Sequence, residues 1–157
     1  MPPGITEGRK APAFDLPSSG GGRVSLKSLK GSVVVLYFYP KDGTPGCTVE
    51  ACEFGALAPK FARQAAVVLG VSPDSAARHD KFIAKFKLPF TLLADAEHAL
   101  CEAYGVWVEK SLYGRKYWGV QRSTFLIDAA GVVRKAWPKV RPEGHAAEVL
   151  EAIKEIE

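Results

Sequence analysis

The sequence predicts an α/β fold: a central mixed β-sheet flanked by helices and entered through an N-terminal β-hairpin. Three observations carry the prediction. "SVVVLYFYP" is β-branched and aromatic without alternation, the pattern of a strand covered on both faces, and it reads as the central strand. A second run of this kind, Val67 to Ser72 in "AAVVLGVSPD", follows an intervening helix that starts at Thr44. Two buried strands joined by a helix make a βαβ unit with a right-handed crossover. At the far end, "EGHAAEVLEAIKEIE" sets Ala147, Leu150, Ile153 and Lys154 or Ile156 in helical register, so an amphipathic helix closes on the sheet.

The remaining elements follow in order. "APAFDLPSSGGGRVSLKSLKGS" holds two short extended segments around Gly20 to Gly22, which makes the entry hairpin. Pro59 lacks an N–H and its ring clashes with the preceding turn, so the helix after Thr44 should break near Ala58, with Pro59 opening a second segment. "DSAARHDKFIAKFKLP" spaces Phe82, Ile83 and Phe86 helically and stops before Pro89. "FTLLAD" reads as a third short strand and Glu97 to Tyr104 as a short helix. "YGVWVEKSLYGRKYWGVQR" reads as a loop followed by an extended segment, and "STFLIDAAGVVRKAWP" as two antiparallel strands around a turn at Ala129 to Gly131.

A chain of 157 residues with 47% hydrophobic content fits one domain, residues 1–157, able to bury its own core. The longest wholly apolar run, Val33 to Tyr39, is far short of the roughly 18 residues that span a bilayer, and "MPPGITEGRKAP" lacks an apolar signal core. A cytoplasmic location and no membrane partner are expected. Three cysteines are too few for a secreted disulfide framework, so any disulfide should be transient. The net charge of +4 and pI near 9.0 come from scattered Lys and Arg without interleaved aromatics, a solvated basic surface rather than a nucleic-acid site.

The chemistry concentrates in "YFYPKDGTPGCTVEACEF". Thr44 suits the N-cap and Pro45 the first helical position, which puts Cys47 in the first turn. Free N–H groups and the positive end of the helix dipole there favour a thiolate, which is a nucleophile. Cys52 lies five residues on; in an intact helix that separates the side chains by roughly 140° and the Cα atoms by roughly 8 to 9 Å. Disulfide geometry allows at most about 7 Å, so bonding the pair requires local unwinding. A thiol that reacts alone before its partner arrives suits attack on a peroxide O–O bond, formation of a sulfenic acid, and trapping as a disulfide.

Two rival enzymes fit less well. A cysteine hydrolase would need one of the three histidines as base, and no local hydrolase signature is present; a dithiol oxidoreductase would want C-x-x-C. A redox sensor or chaperone-like module could use the same cysteine switch without turnover. Cys101, among Ala and Leu, reads as a buried inert thiol, and with His98 alone it makes no metal site. His79 and His145 read as solvated helix residues, and Tyr104, Trp107, Tyr113, Tyr117 and Trp118 as core or pocket wall.

Pro40, Thr44 and Cys47 in "PKDGTPGC" match the P-x-x-x-T-x-x-C motif of the peroxiredoxins, and "TVEAC" resembles the bacterioferritin comigratory protein, or peroxiredoxin Q, group. "VVVLYFYP", "VLGVSPDS", "FTLLAD", "YGVW" and "RSTFLID" extend the similarity over nearly the whole chain. The resemblance implies a thioredoxin-like fold and reduction of hydrogen peroxide and organic hydroperoxides, with thioredoxin or a similar dithiol protein as reductant. It implies Cys47 as the peroxidatic and Cys52 as the resolving cysteine. Thr44 would hydrogen-bond the peroxide and thiolate, Pro40 would shield the pocket, and Arg122 would stand beside the thiolate. Backbone N–H groups, the Thr44 hydroxyl and a guanidinium could all stabilise the charge that builds on the leaving oxygen. No metal or organic cofactor is called for, and with both cysteines in one chain a monomer is expected.

Overall fold

In the computed structural model, residues 6–156 are described, so the first part of the segment read above for a signal core lies outside them. Strands β1 (Asp15–Pro17) and β2 (Arg23–Ser25) pair antiparallel as the entry hairpin. The main sheet contains β3 (Val33–Phe38), β4 (Ala66–Ser72), β5 (Thr91–Ala94), β8 (Ser123–Ile127) and β9 (Val133–Trp137), in the order β5-β4-β3-β8-β9. β3, β4 and β5 run parallel, while β8 and β9 are antiparallel to their neighbours, so the sheet is mixed and β3 is its central strand.

The absence of alternation in β3 has a direct cause. Val35, Tyr37 and Tyr39 join a core with α1 (Pro45–Ala56), α2 (Ala58–Arg63), α3 (Ala76–Phe86) and α5 (His145–Ile156). Val34, Leu36 and Phe38 join a second core with Phe14, Leu100 and Cys101 of α4 (Ala99–Ala103), and Val120. Both pleat faces of β3 are therefore apolar, and from Val34 to Phe38 no residue is more than 1% exposed. The α1/α2 break falls at Leu57, with Pro59 in the first turn of α2, where its missing N–H leaves no helical bond unmade.

Several expectations change. The segment read as a loop and an extended stretch is a regular hairpin, β6 (Trp107–Leu112) and β7 (Arg115–Val120), turning through Tyr113 and Gly114, both at positive φ. That pair of φ values suits a two-residue turn matched to strand twist. Of the expected core or pocket-wall set, Tyr104 is fully buried, Trp107 packs half-buried against the second core and stacks on His98, and Trp107 and the exposed Trp118 line one cavity with Tyr104, whereas Tyr113, 96% exposed, and Tyr117 face solvent. His79 and His145, expected in solvent, are buried because each finds partners on other elements: Asp42 and the Leu93 carbonyl for His79, Thr124 for His145. On α5 the buried face runs through Ala146, Val149, Leu150, Ala152 and Ile153, and Ala147 is exposed, one position off the expected register.

Gly70 in β4 marks the tightest point of the larger core. A Cβ there would lie 2.6 Å from Leu92 Cδ2 and 2.8 Å from the Tyr37 ring, and both side chains are fully buried. Gly70→Ala is expected to destabilise the fold by about 1–3 kcal/mol, read as a lower urea midpoint at unchanged slope; an unchanged midpoint would show that Tyr37 and Leu92 repack freely.

Candidate active site

The site forms where β3 ends. The chain leaves Phe38, passes through Tyr39 and the half-buried Pro40, and enters α1 at Pro45 with Thr44 as the N-cap residue, extended at φ −73°, ψ 153°. Cys47 sits in the first turn and is 1% exposed. The Thr44 side chain makes no cap bond; its hydroxyl donates to the Lys41 carbonyl at 3.0 Å, which corrects the reading of Thr44 as a side-chain cap and leaves its lone pairs as acceptors.

Arg122 reaches Cys47 from the opposite side of the sheet's central pair. β3 and β8 are in register with Phe38 opposite Ser123, so Arg122, just before β8, stands level with the start of the loop that leads to Cys47. Its guanidinium forks: Nη2 donates to Cys47 Sγ at 3.4 Å and Nη1 to Glu50 Oε1 at 2.7 Å. Gly46 makes room for it, since a Cβ there would lie 3.1 Å from Nη2. Burial works against the guanidinium's charge, but Glu50 and Cys47 outweigh it and hold the Arg122 pKa above its usual value.

Glu50 escaped the sequence reading. It is 1% exposed, and its second oxygen, like the Tyr37 hydroxyl, has no partner among the described residues. Burial raises its carboxyl to about 7 although Arg122 pulls the other way. The available signal was spacing: an acid three residues after Cys47 shares its helix face, and that face is the inner one. Lys110 was missed too. It is half-buried on β6, and burial and Arg122's charge hold it below the usual lysine range while Cys47 acts in the opposite direction.

Cys52 lies on the same unbroken helix but is exposed, and both thiols are free. The helix therefore keeps the pair apart, as the spacing argument requires. Cys101 is buried and held far above the usual thiol range by burial and by Asp95, whose carboxylate also accepts the Cys101 backbone N–H at 2.8 Å. None of the three histidines bonds Cys47: His79 is spent on Asp42 and Leu93, His145 on Thr124 and Glu148, and His98 pairs with Glu102.

A buried first-turn cysteine under an arginine, at the carboxyl end of a central strand, fits what comparison with known proteins finds. The family model described as AhpC/TSA matches residues 8–136. The chain belongs to the AhpC/TSA family. Within it, the chain groups with the Bcp and peroxiredoxin Q proteins. It is 50% identical to peroxiredoxin Bcp of Bacillus subtilis over 152 residues, 97% of each chain. It is 41% identical to peroxiredoxin Bcp of Escherichia coli, over 96% of this chain and 97% of that one. Among solved structures, the bacterioferritin comigratory protein of Xanthomonas campestris, captured in trapped intermediate/ligand complexes bearing on its alkyl peroxide reduction activity, superposes with a TM-score of 0.88 at 46% identity, covering 91% of each chain. The fold is the thioredoxin-like peroxiredoxin fold. No helix among the described residues is long and apolar enough to cross a membrane.

For an AhpC/TSA chain, the Glu50–Arg122 pair also predicts a pH signature. The folded carboxyl at about 7 lies above its ordinary 4.5, so the folded state holds this proton more tightly than the unfolded chain. The stability it contributes is fully present below about 4.5 and is lost as pH rises through about 7. Glu50→Gln should therefore flatten the fall in unfolding free energy between these values by an amount on the order of 1–3 kcal/mol. Parallel curves for the two proteins across that window would show that Glu50 is ionised throughout.

Proposed function

We propose that this enzyme, a thiol-dependent peroxidase, reduces hydrogen peroxide and organic hydroperoxides through Cys47, with Cys52 as the resolving residue. The observation that carries the reading is the guanidinium shared between Cys47 and Glu50 over a helix N-terminus, a site built to hold negative charge on sulfur and then on oxygen.

The sequence of steps follows from the groups present. The Cys47 thiolate attacks one peroxide oxygen, the O–O bond breaks, and water or an alcohol leaves as Cys47 becomes a sulfenic acid. Thr44, its own hydrogen engaged by Lys41, accepts the peroxide O–H and thereby points the O–O bond. Arg122 and the free N–H groups of the first turn receive the developing charge, and Pro40 at the loop's start shields the reacting oxygen from water. The first turns of α1 then unwind, and the Cys52 thiol displaces water from the sulfenic sulfur to give a disulfide. A dithiol protein such as thioredoxin takes this disulfide back to two thiols.

The lack of any histidine on Cys47 disfavours a hydrolase, and the exposure of Cys52 to an incoming reductant favours turnover over a sensor that stays oxidised. We place the protein in the cytoplasm as a monomer, since an intramolecular resolving cysteine removes one reason to pair.

The decisive assay follows NADPH oxidation with thioredoxin, its reductase and peroxide. Cys47→Ser should abolish turnover, a loss of at least about 10³-fold given that the nucleophile is removed. Cys52→Ser should stop at a sulfenic acid that a dimedone-type reagent captures, with turnover restored by a small thiol. Full turnover in Cys47→Ser would sink the assignment.

A further inference from the structure

Asp42 lies midway between Pro40 and Thr44, and for a charged loop residue its surroundings are unusual. It is 8% exposed, and both carboxylate oxygens and its backbone N–H are engaged. Oδ1 accepts the Tyr39 hydroxyl at 2.5 Å, and Oδ2 lies 2.6 Å from Nδ1 of His79, which is 0% exposed on α3. The Asp42 backbone N–H donates to Asp74 Oδ2 at 2.7 Å, and that same oxygen accepts the Ser72 hydroxyl at the end of β4.

Nε2 of His79 lies 2.9 Å from the Leu93 carbonyl, which can only accept, so Nε2 carries a hydrogen. Nδ1 shares one short hydrogen bond with Asp42 Oδ2 in a place closed to solvent. A buried polar pair is seldom a better fastener than apolar side chains of the same volume. This one is spent on a single loop: Asp42 is bonded to His79 of α3 and to Asp74 just after β4, His79 is bonded in turn to Leu93 of β5, and immediately after Asp42 Gly43 is exposed, at φ +81° with open space around it.

Resting on the peroxidase reading above, we propose that Asp42, His79 and Tyr39 are positioning residues that hold the Pro40–Thr44 loop in the shape that receives the peroxide. The network fixes Asp42 and therefore the adjoining Lys41 carbonyl, which orients the Thr44 hydroxyl. None of the three hydrogen-bonds the Cys47 sulfur, so they act through Pro40 and Thr44 and not on the nucleophile itself.

The test separates reaction with peroxide from reactivity of the thiol. On the reduced full-length protein, the rate of the first peroxide step is compared with the rate of Cys47 alkylation by iodoacetamide. Asp42→Ala should slow the peroxide step about 10-fold or more, as a displaced binding loop would, with alkylation within about 3-fold of wild type or faster. Asp42→Asn should recover most of the loss. Its Oδ1 still accepts from Tyr39, and its amide N–H donates to a neutral His79 Nδ1 while Nε2 keeps the Leu93 carbonyl. If Asp42→Ala does not fold, Tyr39→Phe, which deletes one donor, should slow the peroxide step about 3-fold or more at unchanged alkylation. Peroxide rates equal to wild type in the folded variants, or peroxide and alkylation rates falling together, overturn the proposal. A wild-type protein that does not react with peroxide overturns the peroxidase reading and this inference with it; a reacting wild type matched by Asp42→Ala overturns the inference alone.

Discussion

In the proposed reaction Cys47 has to carry charge where only 1% of its surface meets solvent, and that is the constraint around which the site is arranged. A buried charge needs an opposite charge and hydrogen bonds in place before it forms. The first turn of α1 supplies N–H groups, and Arg122 supplies the charge. Arg122, itself only 15% exposed, then needs a partner of its own, which is Glu50. The succession ends at Glu50, where burial outweighs the guanidinium and lifts the carboxyl toward neutrality, so the acid answers Arg122 without competing at full strength with the sulfur for its charge. Gly46 belongs to the same arrangement, since a side chain there would occupy the space of the guanidinium.

Strand register brings these parts together across 75 residues of sequence. β3 delivers Cys47 through a loop at its carboxyl end, and its antiparallel pairing with β8 sets Ser123 beside Phe38, which leaves Arg122 next to that loop. A slip of one residue in this pairing would turn Phe125 and Ile127 out of the core they share with Leu36 and Phe38. The assignment of each β8 side chain to one of the two cores is therefore also what aims the arginine. The same sheet carries the loop's other anchor, because Ser72 at the end of β4 and Leu93 within β5 fasten the Asp42 network.

The parts legible in the sequence were those decided locally. The run of β3, the position of Thr44 and Pro45 at the start of α1, and the five-residue cysteine spacing all depend on neighbours within a turn or two, and the structure places them as read, with the Thr44 hydroxyl turned to the Lys41 carbonyl instead of capping the helix. Arg122 became visible through family resemblance, since nothing adjacent in sequence tells an arginine before a strand that a sulfur lies opposite. His79 and His145 were misread for the same reason: what buries a histidine is a hydrogen-bond partner 37 or 21 residues away, not the pattern of its own helix. The β6–β7 hairpin was missed although Tyr113 and Gly114 form its turn, because a tyrosine at φ 51° is rare and its composition does not announce a primed turn. Tyr113, Tyr117 and Trp118 are exposed on this two-stranded ribbon, while Trp107 at its base packs against the core.

The same anchors bound the segment that has to move if Cys47 and Cys52 are to meet. Upstream, Asp42 is fastened to three elements, so the first residue free to turn is Gly43, already at a φ that other residues resist. Downstream, the backbone departs from helical geometry at Leu57, and α2 begins again with Pro59 and the buried Phe61. Between these limits lies little more than α1 itself, whose inner face holds Cys47, Glu50, Ala51 and Phe54. Unwinding its first turns breaks the Arg122 bond to sulfur and exposes Cys47, but it leaves Phe54 stacked on Tyr37 and the sheet intact. The cost of bringing the two sulfurs together is thus that of a few helical residues rather than of the fold, and it falls on the charged end of the site. In the proposed mechanism, oxidation of a Cys47 thiolate to a neutral sulfenic acid removes the charge that draws Arg122 to the sulfur, so the chemistry of the first step weakens the contact that the second step must break.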